Sequence, residues 1–281
     1  GDGAWNTSAG NAAWNNLTTN VPWSQTSATD ASNGAVFGGA DGAANEHVVT
    51  VGGTMAAESL TFNSSGYQIT SGTLALMPTT TTNGNITVAA GKTATISSPI
   101  LYADNKAATI TANSGATLNL GGGASNSQYR FLGAGTINMT SGTYTANVGR
   151  VNVGTFNQTG GTFVMNLPSG TAATPDGYFI GDNAGRNVSY TMSGSSIINA
   201  RASGTAVTNA FVGIGRASGT ATTNTMNVTG AANLNVGVPA NTSGELWIAS
   251  DNNSNGTLNV SGSSAVTVGT GKAANKIYFY R

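Results

Sequence analysis

The chain has 281 residues, and only 7% of them are charged, ten acids cancelling ten bases, where an ordinary globular domain carries roughly 25%. That excludes the basic face needed to grip nucleic acid or anionic lipid. The absence of Cys excludes disulfides, thiolate metal sites and a Cys nucleophile. No apolar run approaches the ~18 residues of a membrane-spanning helix, so no helical membrane insertion is expected. So polar and weakly charged a chain, rich in Gly, Ser, Thr and Asn, would be disordered but for a regular apolar alternation that begins near Val48.

Residues 1–45 stand apart from that alternation. Three of the four tryptophans, Trp5, Trp14 and Trp23, recur there at equal spacing. Pro22, Gly34 and the Gly38-Gly39 pair break any long strand, leaving Ala35-Val36-Phe37 as a short one. The segment reads as an aromatic cap over the first open layer of whatever follows. Docking onto another subunit and a sugar-binding aromatic platform are the alternatives.

Residues 46–281 read as one elongated β body. Val48-Val49-Thr50-Val51, Leu60-Thr61-Phe62, Tyr67-Gln68-Ile69-Thr70, Thr73-Leu74-Ala75-Leu76, Ile86-Thr87-Val88, Ala94-Thr95-Ile96 and Leu118-Asn119-Leu120 are predicted strands. Gly-bearing turns such as Asn83-Gly84 and Ser114-Gly115 separate them. Gly121-Gly122-Gly123 predicts a loop, not a domain boundary. Tyr129-Arg130-Phe131-Leu132, Ile137-Asn138-Met139, Val151 to Phe156 and Phe163-Val164-Met165 then resume the pattern.

The clearest repeats lie in residues 178–281. Tyr178-Phe179-Ile180-Gly181, Ala210-Phe211-Val212-Gly213, Leu246-Trp247-Ile248-Ala249 and Ile277-Tyr278-Phe279-Tyr280 open successive units. Tyr190-Thr191-Met192, Met226-Asn227-Val228 and Leu258-Asn259-Val260 follow the first three openers. Ile197-Ile198-Asn199-Ala200, Leu234-Asn235-Val236 and Val266-Thr267-Val268 close them. Three short strands per repeat predict one coil of a right-handed parallel β-solenoid, or β-helix. Period two places Tyr190, Met226 and Leu258 inside and Thr191, Asn227 and Asn259 outside. Asn199 with Asn235, and Asn227 with Asn259, fall at matching positions of successive coils, where stacked amides bond along the axis.

The order Trp14-Asn15, Pro22, Asp30, Val36-Phe37-Gly38, Val49-Thr50-Val51, Leu60-Thr61-Phe62, Gly66-Tyr67-Gln68-Ile69 and Gly72-Thr73-Leu74-Ala75-Leu76 resembles the autotransporter-associated β-strand repeat proteins. The resemblance covers roughly residues 5–100, and it implies a secreted right-handed β-helix of the bacterial surface. It also implies a membrane-inserting β-barrel after the repeats. None follows here, so that domain is expected to be absent from this chain or replaced by another route to the surface. A chain starting at Gly1 is expected to have lost a signal peptide or to have been trimmed.

Catalysis on such a scaffold needs two or three carboxylates converging on one groove, or a base beside bound calcium. The acids here are scattered. Glu46-His47 with Glu58, and Asp182 with Asp251 near Arg150, Arg186 and Arg216, are the candidates, and the latter set reads as an exposed Asp-Arg-Asp ladder. No nucleophile, base and orienting group fall together, so no catalytic activity, metal or cofactor is expected.

The closing stretch Lys276 to Arg281 repeats the opener of a further coil. Its edge is suited to strand addition, and a head-to-tail contact between unlike ends propagates a fibre. The expected partner is the chain itself, through Trp5, Trp14, Trp23, Ile277, Tyr278, Phe279 and Tyr280; the alternative is that the sequence was cut here and a longer solenoid continues. The expected role is a secreted structural subunit of an extracellular filament or surface layer. An adhesin-like passenger binding a surface glycan, or a polysaccharide lyase or hydrolase, are the alternatives.

Overall fold

The computed structural model describes residues 3–5, 14–15, 20–21, 33–77, 83–102, 107–125, 128–146, 148–167, 177–181, 186–202, 209–216, 221–237, 243–249, 254–269 and 275–279. All regular structure among them is β, with no helix. Most strands belong to one 18-stranded and one 9-stranded sheet. Every pairing within these two sheets is parallel, which is the general form of a β-solenoid. Trp14–Asn15 with Asn20–Val21 forms a separate antiparallel pair.

The apolar alternation of the sequence becomes a set of columns running across the sheets. Ile86, Ile110, Phe131, Val151, Ile180, Ile214, Ile248 and Phe279 are successive partners in one of them. Ala94, Leu118, Ile137, Phe156, Tyr190, Met226 and Leu258 form a second. On the smaller sheet Leu74, Ile100, Ala124, Tyr144, Phe163, Ile198, Leu234 and Val266 form a third. Apart from the last member of each column, all of these side chains are buried in one continuous core. The outward Asn stacks are present as well. The Asn235 amide donates to Asn199 Oδ1 at 2.9 Å, and Asn259 to Asn227 Oδ1 at 2.9 Å. A further stack was not anticipated from the repeats: Asn138 donates to Asn119 at 2.8 Å and Asn157 to Asn138 at 3.0 Å.

The register of the openers differs from the repeat alignment. That alignment sets Phe179 against Phe211, whereas Phe179 pairs with Gly213 and Tyr178 with Val212. The next layer pairs Gly213 with Trp247 and Ile214 with Ile248. A slip of two residues leaves every side chain on its own face, so alternation alone does not choose between the two registers. The strand ends decide it. Gly181, Gly215 and Ala249 follow directly on the paired Ile180, Ile214 and Ile248, all with left-handed φ (74°, 76° and 58°). Gly213 then opens room for two rings, since a Cβ there would lie 3.1 Å from both Phe179 and Phe211.

Two of the predicted short strands are also fused. Tyr129–Leu132 and Ile137–Met139 belong to one strand, Gln128–Met139, and the next layer has the continuous Val148–Gln158. Their pairing slips between Gly133 and Thr136. Gly133 holds φ at 108°, and a side chain there would collide with the Ala112 carbonyl, so the irregularity needs glycine. Of residues 1–45, Gly3–Trp5 and Ala35–Phe37 pair into the large sheet.

One inward column carries a glutamine. Gln158 lies between Met139 and Met192 and is fully buried. Its amide donates to the carbonyls of Ile197 (3.0 Å) and Gly161 (3.2 Å). Its Oε1 accepts from the Tyr190 hydroxyl at 2.9 Å, and Tyr190 in turn accepts from the Tyr178 hydroxyl at 3.0 Å. With each group paired, the network avoids the cost of orphaned polar atoms in the core.

Candidate functional site

The last layer of the described residues is the feature that breaks the burial pattern. Phe279 continues the column of Ile214 and Ile248, yet it is 77% exposed where Ile214 is 0%. Ile277 follows Leu246 in the neighbouring inward column and is 52% exposed. Val260 follows Val228 and is 49% exposed. Leu258, Val266 and Val268 are only partly buried against the core. Among the described residues, Ser254–Val260, Ala265–Val268 and Lys276–Phe279 each pair with an earlier strand on one side and with none beyond. The result is a cross-section of the core itself, apolar in its middle and edged with backbone donors and acceptors, a surface suited to adding strands.

Beside this face an outward aromatic row leads back along the molecule. Tyr278 stands 5.2 Å from Trp247, Trp247 4.7 Å from Phe211, and Phe211 5.0 Å from Phe179, between ring centres. Phe179 is completely buried, with the guanidinium groups of Arg150 and Arg216 each 5.0 Å from its ring centre. This cation–π arrangement is stronger once desolvated. At the open end, Trp247 Nε1 donates to Glu245 at 3.1 Å, and the Lys276 ammonium lies 5.7 Å from the Tyr278 ring centre. A hydrogen bond with Tyr278, then the charges of Tyr278 and Glu245, hold the Lys276 pKa above the ordinary lysine value.

The residues singled out from the sequence are placed as follows. Ile277, Tyr278 and Phe279 form the outermost strand of the open layer. Trp5 lies at the opposite end and is fully buried, its ring packed edge-on against Phe37 at 5.9 Å. The backbone of Trp14 sits in the small antiparallel pair, while its side chain, Trp23 and Tyr280 lie outside the described residues. Asp182 and Asp251 also lie outside them. Arg216, read as the middle rung of an acid–base ladder, meets Arg150 at the face of Phe179. Periodicity carried no signal for that contact, because it joins outward side chains from three separate layers. His47 packs against the Tyr67 ring at 5.0 Å, and Glu46 accepts a hydrogen bond from the Ala43 amide. Asp41 makes an ion pair with Lys92 at 2.6 Å and accepts from the Ser65 amide at 2.8 Å. The Lys92 hydrogen bond, then that of Ser65, hold the Asp41 pKa below the ordinary value of 3.8. No group of three or more metal-ligating acids or histidines occurs among the described residues.

Burial governs the tyrosines of the core. It pushes Tyr144 up to about 12 and also raises Tyr102, Tyr129, Tyr178 and Tyr190 above the ordinary tyrosine value. All five phenols therefore remain protonated in the folded protein across the physiological range, and none is suited to act as a base. Comparison with known proteins returned no matching family model, no similar curated protein and no similar solved structure.

Proposed function

We propose that this chain is a secreted structural unit, a right-handed β-solenoid of three strands per coil, and that it associates head to tail into an extracellular filament or surface layer. The observation that carries the reading is the exposed core cross-section at Ile277, Phe279 and Val260. A layer of hydrogen-bonded strands buries its apolar row only when another layer lies on it. Further coils of a longer chain or a second copy each supply one of matching spacing, and of these the second copy is the proposed occupant. The zero formal net charge supports the reading, because copies meet without long-range repulsion. Secretion rests on the resemblance to autotransporter-associated repeats.

The test is the double variant Ile277→Asp/Phe279→Asp. Wild-type protein should form rods of indefinite length by negative-stain electron microscopy and sediment with concentration-dependent mass. The variant should remain folded by circular dichroism and sediment as a monomer. A wild-type chain that stays monomeric at high concentration, or a variant that still forms rods, would overturn the proposal.

A further inference from the structure

A second outward face carries a different and more regular chemistry. Thr117, Thr136, Thr155, Ser189, Thr225 and Thr257 are successive register partners. Two residues further along the same strands, so do Asn119, Asn138, Asn157, Thr191, Asn227 and Asn259. The residue between each pair points inward and is buried from Leu118 to Met226, so both columns stand on a packed floor. Strand spacing is about 4.8 Å and two residues of a parallel strand span about 6.6 Å. The face is therefore a two-dimensional grid of hydroxyl, methyl and amide groups with those two repeats.

The grid is held in place before anything binds to it. Asn138 donates to Asn119 and Asn157 to Asn138, while Asn227 donates to Thr191 at 3.4 Å and Asn259 to Asn227. These bonds hold the amides in one orientation, and the Thr side chains are β-branched and stiff, so little freedom remains to be lost on binding. Neither column contains a charge to attract a polyelectrolyte or a ring on which a sugar would stack. The matching occupant is uncharged, flat, rigid, hydrogen-bonding and periodic in two directions at once. The prism faces of hexagonal ice likewise have oxygen repeats in two perpendicular directions, one shorter and one longer, of the same order as these two lengths. We infer that this Thr-x-Asn face binds ice, the Thr methyl and hydroxyl groups and the remaining amide hydrogens ordering water into the lattice. The inference is independent of the head-to-tail association, which uses the end of the molecule and not this side.

The full chain should inhibit ice recrystallisation and shape single ice crystals in a nanolitre osmometer. Thr136→Lys/Thr155→Lys, which places two long charged side chains in the middle of the grid, should abolish both effects while circular dichroism and the melting temperature stay close to wild type. Thr136→Val/Thr155→Val keeps the shape and removes the hydroxyls, and it serves as the second array variant should the lysine pair disturb the fold. Thr145→Lys, on the smaller sheet, should retain wild-type activity. Folded wild-type protein without any effect on ice would overturn the inference, as would array variants as active as wild type or a Thr145→Lys variant as impaired as they are. Retention on microcrystalline cellulose without ice activity would also overturn it, assigning the face to a polysaccharide.

Discussion

The two ends of the core are both apolar and differ in burial. At the N-terminal end Trp5, Phe37 and Met55 are all buried, at 0%, 4% and 5% exposure. At the C-terminal end Ile277, Phe279 and Val260 continue inward columns of the core and are 52%, 77% and 49% exposed. Inward direction and burial are therefore separate properties in this architecture. Alternation within a strand sets the first, and a neighbouring layer is required for the second.

The largest effect that can separate the two conditions comes from truncating one column at two heights. Ile214→Ala, in the covered part, should cost about 2–5 kcal/mol in urea unfolding through lost transfer energy and a residual cavity. Phe279→Ala, in the same column, should change the stability of the monomer by no more than about 0.5 kcal/mol. A comparable loss at both sites would show that the end layer is covered in solution. Alkali should probe the covered part selectively. The raised pKa of Tyr144, and of its four buried companions, means that stability is complete below the ordinary tyrosine value of 10.0 and falls as pH rises through about 12. Each such group loses up to about 1.4 kcal/mol per pH unit in that window. Unfolding midpoints measured from pH 7 to 12 should stay flat to about 9 and then drop steeply.

A smaller contrast compares the amide stack with its terminus. Asn138 both donates and accepts within its stack, so Asn138→Ala should cost about 1 kcal/mol. Asn259 is exposed and only donates, to Asn227, and Asn259→Ala should cost measurably less by the same denaturation assay. The smallest effect concerns the Asp41–Lys92 ion pair at the surface. Because the Asp41 pKa is lowered, its contribution is present above 3.8 and disappears as pH falls through the lowered value. Lys92→Ala should flatten the acid limb of the stability curve slightly and leave neutral pH almost unchanged.

Much of this was legible in the chain. The parallel β character, the inward placing of Tyr190 and Met226 and the stacking of Asn199 on Asn235 follow from period two and repetition, which are local properties. The sites were less legible. Trp5 looks the same in sequence whether it covers a surface or fills a core, and here it fills one. The meeting of Arg150 and Arg216 on Phe179 joins three layers and has no periodic signature.

What the amino-acid order determined by itself is which face each side chain takes, because that depends only on its neighbours in the strand. What the tertiary structure decided is how the layers sit on one another. It set Phe179 opposite Gly213, fused Gln128–Met139 into one strand, and gathered Gln158, Tyr190 and Tyr178 into a paired network. A slip of two residues preserves every face, so alternation is blind to register. Register is chosen instead by glycine-permitted turns and by rings from different layers packing together, and those contacts exist only once the layers have stacked.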